Sequence, residues 1–375
     1  MFGNLYNRKR VFLTGHTGFK GSWLAEWLLM LGAEVTGYSI RVNDAPDHFT
    51  ALGLDQRMKH VIGDVRDAAA LEKAVQAAQP DFVFHLAAQP LVRLSYREPV
   101  ETMTTNIIGT LQVLDVLRRI ERKVACVIVT SDKCYENREI LHGYRENDAM
   151  GGHDPYSASK SAAEIVAHSY QRSFFGRPGD DGVAVATARA GNVIGGGDWS
   201  GDRIVPDCIR SLLQGETIAV RNPIATRPWQ HVLEPLSGYL WLGALLTGEV
   251  TLPRVHSRET VCSAFNFGPW PEANRSVQDL VTEILRHWPG RWRDANTATH
   301  MHEAGLLSLS IDKAFHMLQW QPVWSFAQGV QATAIWYRHV AKERHSAPEQ
   351  TRMDITAYTR AATSTGVRWA VKPNA

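Results

Sequence analysis

The stretch RVFLTGHTGFKGSWLAEWLLMLG, residues 10–32, decides the fold. RVFLTG (10–15) reads as a short buried strand. SWLAEWLLMLG (22–32) places Trp23, Leu24, Trp27, Leu28 and Leu31 on one face of a helix, and Gly32 is a natural stop. Between the two lie Gly15, Gly18 and Gly21. A tight strand-to-helix turn needs glycine where the backbone must approach a pyrophosphate, and the helix N-terminus then faces that negative charge. A glycine triplet alone is a weak signal. A strand before it and a helix after it supply the context that a dinucleotide requires.

The same rhythm continues outward. AEVTGYS (33–39), HVIGDV (60–65), DFVFHLA (81–87), ACVIVTS (125–131) and GVAVATARA (182–190) are apolar runs of strand length. DAAALEKAVQAA (67–78), PVETMTTNIIGTLQVLDVLRRI (99–120) and PYSASKSAAEIVAHSYQRSF (155–174) are helical in period. Strands alternating with helices predict an α/β fold, a doubly wound parallel Rossmann sheet with right-handed crossovers. After residue 190 the rhythm breaks at GNVIGGGDWSGDRIVP (191–206), and a smaller, interleaved C-terminal substrate lobe is expected. The expected division is 1–190 for the dinucleotide-binding domain, with a returning segment at about 229–262. Residues 191–228 and 263–345 form the lobe, and 346–375 a polar surface tail or loosely packed helix.

Composition narrows the function classes. A chain of 375 residues is long for one core, and a net charge of +2 leaves no electrostatic footprint for nucleic acid or a membrane surface. Any anionic ligand must be held by local groups. Cys126, Cys134, Cys208 and Cys262 form no C-x-x-C pair and read as free thiols of a reducing compartment. No metal-ligand spacing, signal peptide or membrane-length apolar run is present, so a cytoplasmic enzyme is expected.

Beyond the loop residues Gly15, Thr17, Gly18, Phe19 and Gly21, further positions suit a dinucleotide. Asp64, followed by Val65, ends the third strand, where a carboxylate can accept from an adenine amino group. HLAAQP (85–90) supplies Leu86, Ala87 and Ala88, small enough to leave room for a ribose. After the second strand stand Ser39 and Arg41 rather than an acid, so this loop leaves NAD and NADP both open. VTSDKCY (129–135) puts Thr130, Ser131, Asp132 and Lys133 at the carboxyl edge of the sheet, where ligands bind in this architecture. Tyr156 and Lys160 lie one helical turn apart on one face. An ammonium beside a phenol lowers its pKa from about 10 and makes a usable general base. Singly, each residue has a duller reading: a helix cap for Ser131, a solvated charge for Lys160, a surface ion pair for Asp132 and Lys133. Together, behind a glycine loop and at strand ends, they read as a reaction centre.

These residues resemble the extended short-chain dehydrogenase/reductase family over nearly the whole chain up to about Trp324. The family pattern of G-x-x-G-x-x-G, a Ser/Thr after the fifth strand and Y-x-x-x-K is complete. GHTGFKGSWL, TSDKCYEN, RAGNVIGGGDW, DRIVPD and RPWQHVLEPLSGYL look like the family's CDP-glucose 4,6-dehydratase branch in particular. The resemblance implies a tightly held NAD that is reduced and reoxidised within one turnover, and a place in deoxysugar biosynthesis for cell-surface polysaccharide. Tyr156 would take the proton of the sugar C4 hydroxyl, with Ser131 bonded to that oxygen. Elimination of water across C5 and C6 and return of the hydride would leave a 4-keto-6-deoxy sugar. Relatives that act on dTDP-glucose carry Asp-Glu where this chain has Asp132-Lys133. Lys133 is therefore expected as the C5 base and Asp132, with a raised pKa, as the C6 acid. Among the substrate positions, Arg203 and Arg227 suit a diphosphate by bidentate geometry. Gln89, Arg189, Asn192, Val205 and His231 complete the expected pocket, and Trp199 or Trp229 could stack on the base. The 99–120 and 155–174 helices look like the pair that joins relatives into homodimers, or dimers of dimers. A nucleotide-sugar 4-epimerase is the alternative. It needs the same Tyr, Lys, Ser and NAD but no acid/base pair near C5 and C6.

Overall fold

The strand that precedes the glycine loop, β1 (Arg10–Thr14), lies inside a seven-stranded parallel sheet. A computed structural model describes residues 1–40, 47–175, 182–295 and 306–371. Strands β2 (Glu34–Ser39), β3 (Lys59–Ile62), β4 (Phe82–His85), β5 (Val124–Val129) and β6 (Val183–Ala190) follow in the chain. With the Ala264–Phe267 strand at one edge, the order is Ala264–Phe267, β6, β5, β4, β1, β2, β3. Every residue of β4, β5 and β6 is buried, as a sheet covered on both faces demands, which is why these segments read as unbroken apolar runs. The chain order reverses between β1 and β4, and the crevice beyond their carboxyl ends is where this architecture binds ligands.

Two assignments made from sequence are corrected by packing. Residues 264–267, placed in the lobe, pair in parallel with Thr187–Ala190 of β6 and extend the sheet. The segment after 346, expected as a surface tail or loosely packed helix, forms the Ala347–Ser364 helix, with Ile355, Tyr358 and Ala362 buried. Its packing explains a third difference. The Phe19–Met30 helix buries every residue from Gly21 to Leu28 rather than one stripe, because the sheet covers one side and the Ala347–Ser364 helix another. Trp369 stacks on Phe2 at 4.9 Å and on Tyr358 at 5.8 Å, so the two ends of the chain close over Trp27. Polar residues misled the sequence reading here: the buried stripe of the last helix is short, and its other faces carry Arg and Thr.

The lobe facing the crevice is built on the Ile204–Gln214 helix, whose Val205, Cys208, Ile209 and Leu212 are buried. Two small strand pairs brace it, Thr226–Pro228 with Asn274–Ser276 and Ile218–Val220 with Trp292–Asp294. Among the described residues no helix is long and apolar enough to cross a membrane. If the last helix is part of the core, Trp369→Ala should cost about 3–5 kcal/mol of stability. The exposed Ser364→Ala should stay within about 0.5 kcal/mol. Thermal unfolding of the two variants beside the parent would test this, and equal midpoints would mean that the segment is loose.

Candidate active site

The crevice is one cavity of about 880 Å³ between the strand ends and the lobe. The glycine loop forms its floor. Gly15 holds φ at +73°, and a Cβ there would lie 2.6 Å from the Ala87 backbone nitrogen. A Cβ on Gly21 would lie 2.1 Å from the Gly15 carbonyl oxygen. Both glycines are therefore required by the protein itself. Gly18 is different, because a Cβ there would meet only the Gly15 carbonyl, at 3.4 Å. Its bareness leaves space on the cavity side, at the N-cap of the Phe19–Met30 helix, whose first-turn N–H groups are open to an anion. The residues present fit a dinucleotide.

At the far end, Asp64 lies two residues beyond β3, and its carboxylate is gripped by the Arg66 guanidinium at 2.5–3.0 Å. That hydrogen bonding, more than the nearby charge, holds the Asp64 carboxyl below its usual range. Arg66 also reaches Glu101 at 2.6 Å and lines the cavity, which sequence reasoning did not anticipate. Ser39 is turned onto the Thr17 hydroxyl at 2.8 Å. Arg41, the other residue weighed for cofactor choice, lies outside the described residues.

At the near end, the carboxyl terminus of β5 and the Pro155–Phe174 helix assemble the reaction centre. Asp154 caps that helix by accepting from the Ser157 amide at 2.9 Å, and Pro155 occupies its first position. Tyr156 and Lys160 follow, one turn apart and both buried. Ser131 is a cap as well as a site residue. Its hydroxyl accepts from the Lys133 amide at 3.2 Å and donates to Asp132 Oδ1 at 3.0 Å. Asp132 Oδ2 is buried without a hydrogen-bond partner. Burial pushes the Asp132 carboxyl up, against the pull of Lys133, Ser131, Lys20 and Arg227.

Burial also corrects one expectation. Tyr156 is pushed up to about 12, chiefly by loss of water, with Ser131 acting against the rise and the Asp132 charge adding to it. Lys160 is itself brought down to about 8 by burial and does not pull the phenol below its usual value. The protein alone therefore keeps this phenol protonated at neutral pH.

Most of the expected positions line the cavity. Thr17, Phe19, Val65, Leu86, Ala87, Ala88 and Thr130 do so on the dinucleotide side, and Asn192, Arg203, Val205 and Arg227 on the lobe side, as do Trp199 and Trp229. Three do not. The Gln89 amide is spent on its own loop, donating to the Leu91 carbonyl and Thr102 and accepting from the Leu91 amide. Arg189 is buried behind the strands, paired with Glu164 at 2.9 Å. His231 is a core residue between Trp23 and Trp324, and burial brings its pKa down to about 3. Gln89 and Arg189 each sit next to a pocket residue in sequence and His231 two positions after one, but packing against distant segments or a local turn takes each side chain elsewhere.

Besides Arg66, two contributors were missed. Lys20, in the first turn of the loop helix, lines the cavity, and burial and the nearby Arg203 bring it down to about 8. Its place inside the glycine turn was the available signal. Asn106 sits in a π-helical turn, Thr104–Ile108, that interrupts the Pro99–Leu117 helical run. There it donates to Ser159 at 2.8 Å and the Gln89 carbonyl at 3.1 Å, tying two helices to the loop after β4. Nothing in the period of that helix signals the turn.

Comparison with known proteins places this geometry. The family model described as GDP-mannose 4,6 dehydratase matches residues 12–265. A CDP-glucose 4,6-dehydratase of Salmonella typhimurium is 44% identical over 340 residues, 89% of this chain and 92% of that one. A dTDP-glucose 4,6-dehydratase of Streptomyces antibioticus is 28% identical over 88% of this chain and 92% of its own length. Among solved structures, an epimerase from Methanothermobacter thermautotrophicus superposes with a TM-score of 0.74 at 22% identity, covering 92% of this chain and 96% of that one. A dTDP-glucose 4,6-dehydratase from Streptomyces venezuelae, solved with NAD bound, gives 0.72 at 23% identity over 88% and 97%. At that distance the structures speak for the fold alone, whereas the matched model and the 44% relative speak for descent. The chain belongs to the GDP-mannose 4,6 dehydratase family, within the extended short-chain dehydrogenase/reductases.

Proposed function

We propose that the protein is an NAD-dependent nucleotide-sugar 4,6-dehydratase that converts CDP-glucose to CDP-4-keto-6-deoxyglucose. One observation carries this beyond the dehydrogenase chemistry common to the fold. Asp132, buried with a free Oδ2 and a raised pKa, stands beside Lys133 at the strand end that also holds Ser131. A protonated carboxyl and an amine at that place are what elimination of water needs, and a 4-epimerase has no use for them. The 44% relative acts in its name on CDP-glucose, which supports the choice of nucleobase.

When bound, NAD supplies the hydride acceptor and donor and a positive charge in its oxidised form. Tyr156 takes the proton of the C4 hydroxyl, and Ser131 holds the same oxygen. Lys160, one turn below, contributes a cation at the base of the phenol. Lys133 removes the C5 proton that the new C4 ketone has made acidic. Asp132 gives its proton to the departing C6 hydroxyl, so that water leaves and a carboxylate remains. Lys133 then returns a proton to C5. Arg203, at the N-cap of the Ile204–Gln214 helix, and Arg227 serve the diphosphate from the lobe side. Asn192 and Val205 border the sugar and nucleoside.

We also propose a homodimer. Val100, Ile108 and Ile165 are exposed apolar residues on the Pro99–Leu117 run and the Pro155–Phe174 helix, and pairing those helices with a second copy would cover them. Four unpaired cysteines suit the reducing cytoplasm.

The purified protein incubated with CDP-glucose and no added NAD should yield a 4-keto-6-deoxy sugar by NMR. CDP-galactose in its place would mean an epimerase, and unchanged substrate even with NAD added would remove the CDP-glucose reading. Lys133→Ala should block elimination by at least about 100-fold while C4 oxidation remains visible as reduced cofactor. Normal deuterium wash-in at C5 in that variant would take the base role from Lys133. Asp132→Asn should spare C5 exchange yet slow loss of the C6 hydroxyl by a similar factor, read by the same NMR experiment.

A further inference from the structure

Beneath the reaction centre lies a buried ionic cluster that the chemistry above does not use. Glu164 stands one helical turn beyond Lys160 on the Pro155–Phe174 helix, so Tyr156, Lys160 and Glu164 share one face. Its Oε1 accepts a short hydrogen bond from the Thr130 hydroxyl, at the end of β5 next to Ser131. Its Oε2 accepts from the Thr187 hydroxyl at 2.8 Å and from the Arg189 guanidinium at 2.9 Å. Glu164 and Arg189 each have side chains only 4% exposed. Arg189 in turn donates to the Tyr135 hydroxyl at 2.7 Å and the Glu146 carbonyl at 3.1 Å. Tyr135 donates to Asn266 of the Ala264–Phe267 strand at 2.7 Å. One carboxylate thus ties the catalytic helix to β5, β6 and the edge strand.

Lys160 has little else to hold it. Its only hydrogen bond among the described residues goes to the Val129 carbonyl at 3.5 Å, at the limit of such a contact. The groups that face it can be named. Lys20 approaches from the loop helix. His85 approaches from β4 and is kept neutral by burial. The Cys134 thiol lies after β5, and Tyr156 and Glu164 are on its own helix. Arg189 lies behind Glu164. Of these, Glu164 is the group whose charge favours the ammonium most, against burial that lowers it.

We propose that Glu164 is a positioning residue that keeps Lys160 protonated beneath Tyr156, with Arg189 as the counter-ion that lets a carboxylate reside there. Thr130 transmits the same restraint to the Ser131–Lys133 turn. Arg189 is thereby reassigned from the substrate pocket to the support of the catalytic lysine. The kinetic part of the test rests on the proposed action on CDP-glucose, so a second readout is independent of substrate.

The variants are Glu164→Gln, which removes the charge, and Glu164→Asp, which keeps it on a shorter arm. The pH dependence of Lys160 labelling by acetic anhydride, read by mass spectrometry on the protein as purified, reports its titration directly. In the Gln variant the labelling midpoint should fall by about one unit, the size of a lost neighbouring charge, and Asp should lie between Gln and the parent. Lys160 serves as the ammonium, so activity is lost as pH rises through its pKa, and a lower pKa moves that loss to lower pH. Formation of reduced cofactor with CDP-glucose should therefore lose its alkaline limb earlier in the Gln variant, with a roughly fivefold lower rate at pH 8 and little change in KM. A common midpoint in the parent, Gln and Asp proteins would overturn the proposal, even if the rates fell. If the Gln variant does not fold, an unshifted midpoint in the Asp variant suffices. If CDP-glucose is not a substrate, the labelling result still decides the role of Glu164.

Discussion

The close approach of the Phe19–Met30 helix to the end of β1 is the constraint on which the site depends. A single methyl group at Gly21 would come within 2.1 Å of the Gly15 carbonyl, and one at Gly15 within 2.6 Å of the backbone after β4. With hydrogen in those places, β1, β4 and the helix N-terminus meet at one point. The helix then presents its unpaired N–H groups to the crevice where strand order reverses. The other site elements are positioned against this corner. β5 lies next to β4 and delivers Ser131, Asp132 and Lys133 to the same edge, and the Pro155–Phe174 helix brings Tyr156 and Lys160 over it.

Burial then sets the protonation states. Removed from water, ionisable groups move toward their neutral forms: Tyr156 and Asp132 upward, Lys160 and Lys20 downward. For Asp132 this is useful, since elimination wants a protonated acid near neutral pH. For Tyr156 it opposes the proposed role, because a general base must lose its proton. A carboxylate kept beneath it, Glu164, prevents the same burial from neutralising Lys160 as well.

Much of this was legible in residues 10–32 and 129–160, because the signals there are local. A strand, a glycine turn and a helix are contiguous, and Tyr156 and Lys160 share a face by helical period alone. Residues whose role depends on which way a side chain turns were read less well. Arg189 and Asn192 are three apart, yet one is buried behind β6 and the other lines the cavity. His231 follows the cavity residue Trp229 by two positions and is packed between tryptophans. Gln89 lies beside Ala88 and is consumed by its own turn. In each case the neighbours that decide are far away in the chain.

The sequence by itself determined the doubly wound sheet, the dinucleotide turn and which residues stand together at the candidate reaction centre. These follow from periodicity and spacing within about 35 residues. Only the tertiary structure decided that the Ala347–Ser364 helix belongs to the core, that residues 264–267 extend the sheet, and that Glu164 and Arg189 form a buried pair behind Lys160. The physical reason is common to all three. Burial of Tyr358 and Trp369, pairing of an edge strand, and an ion pair 25 residues apart in sequence are contacts between segments whose own patterns are polar or short. Such contacts exist only once the sheet has gathered those segments together.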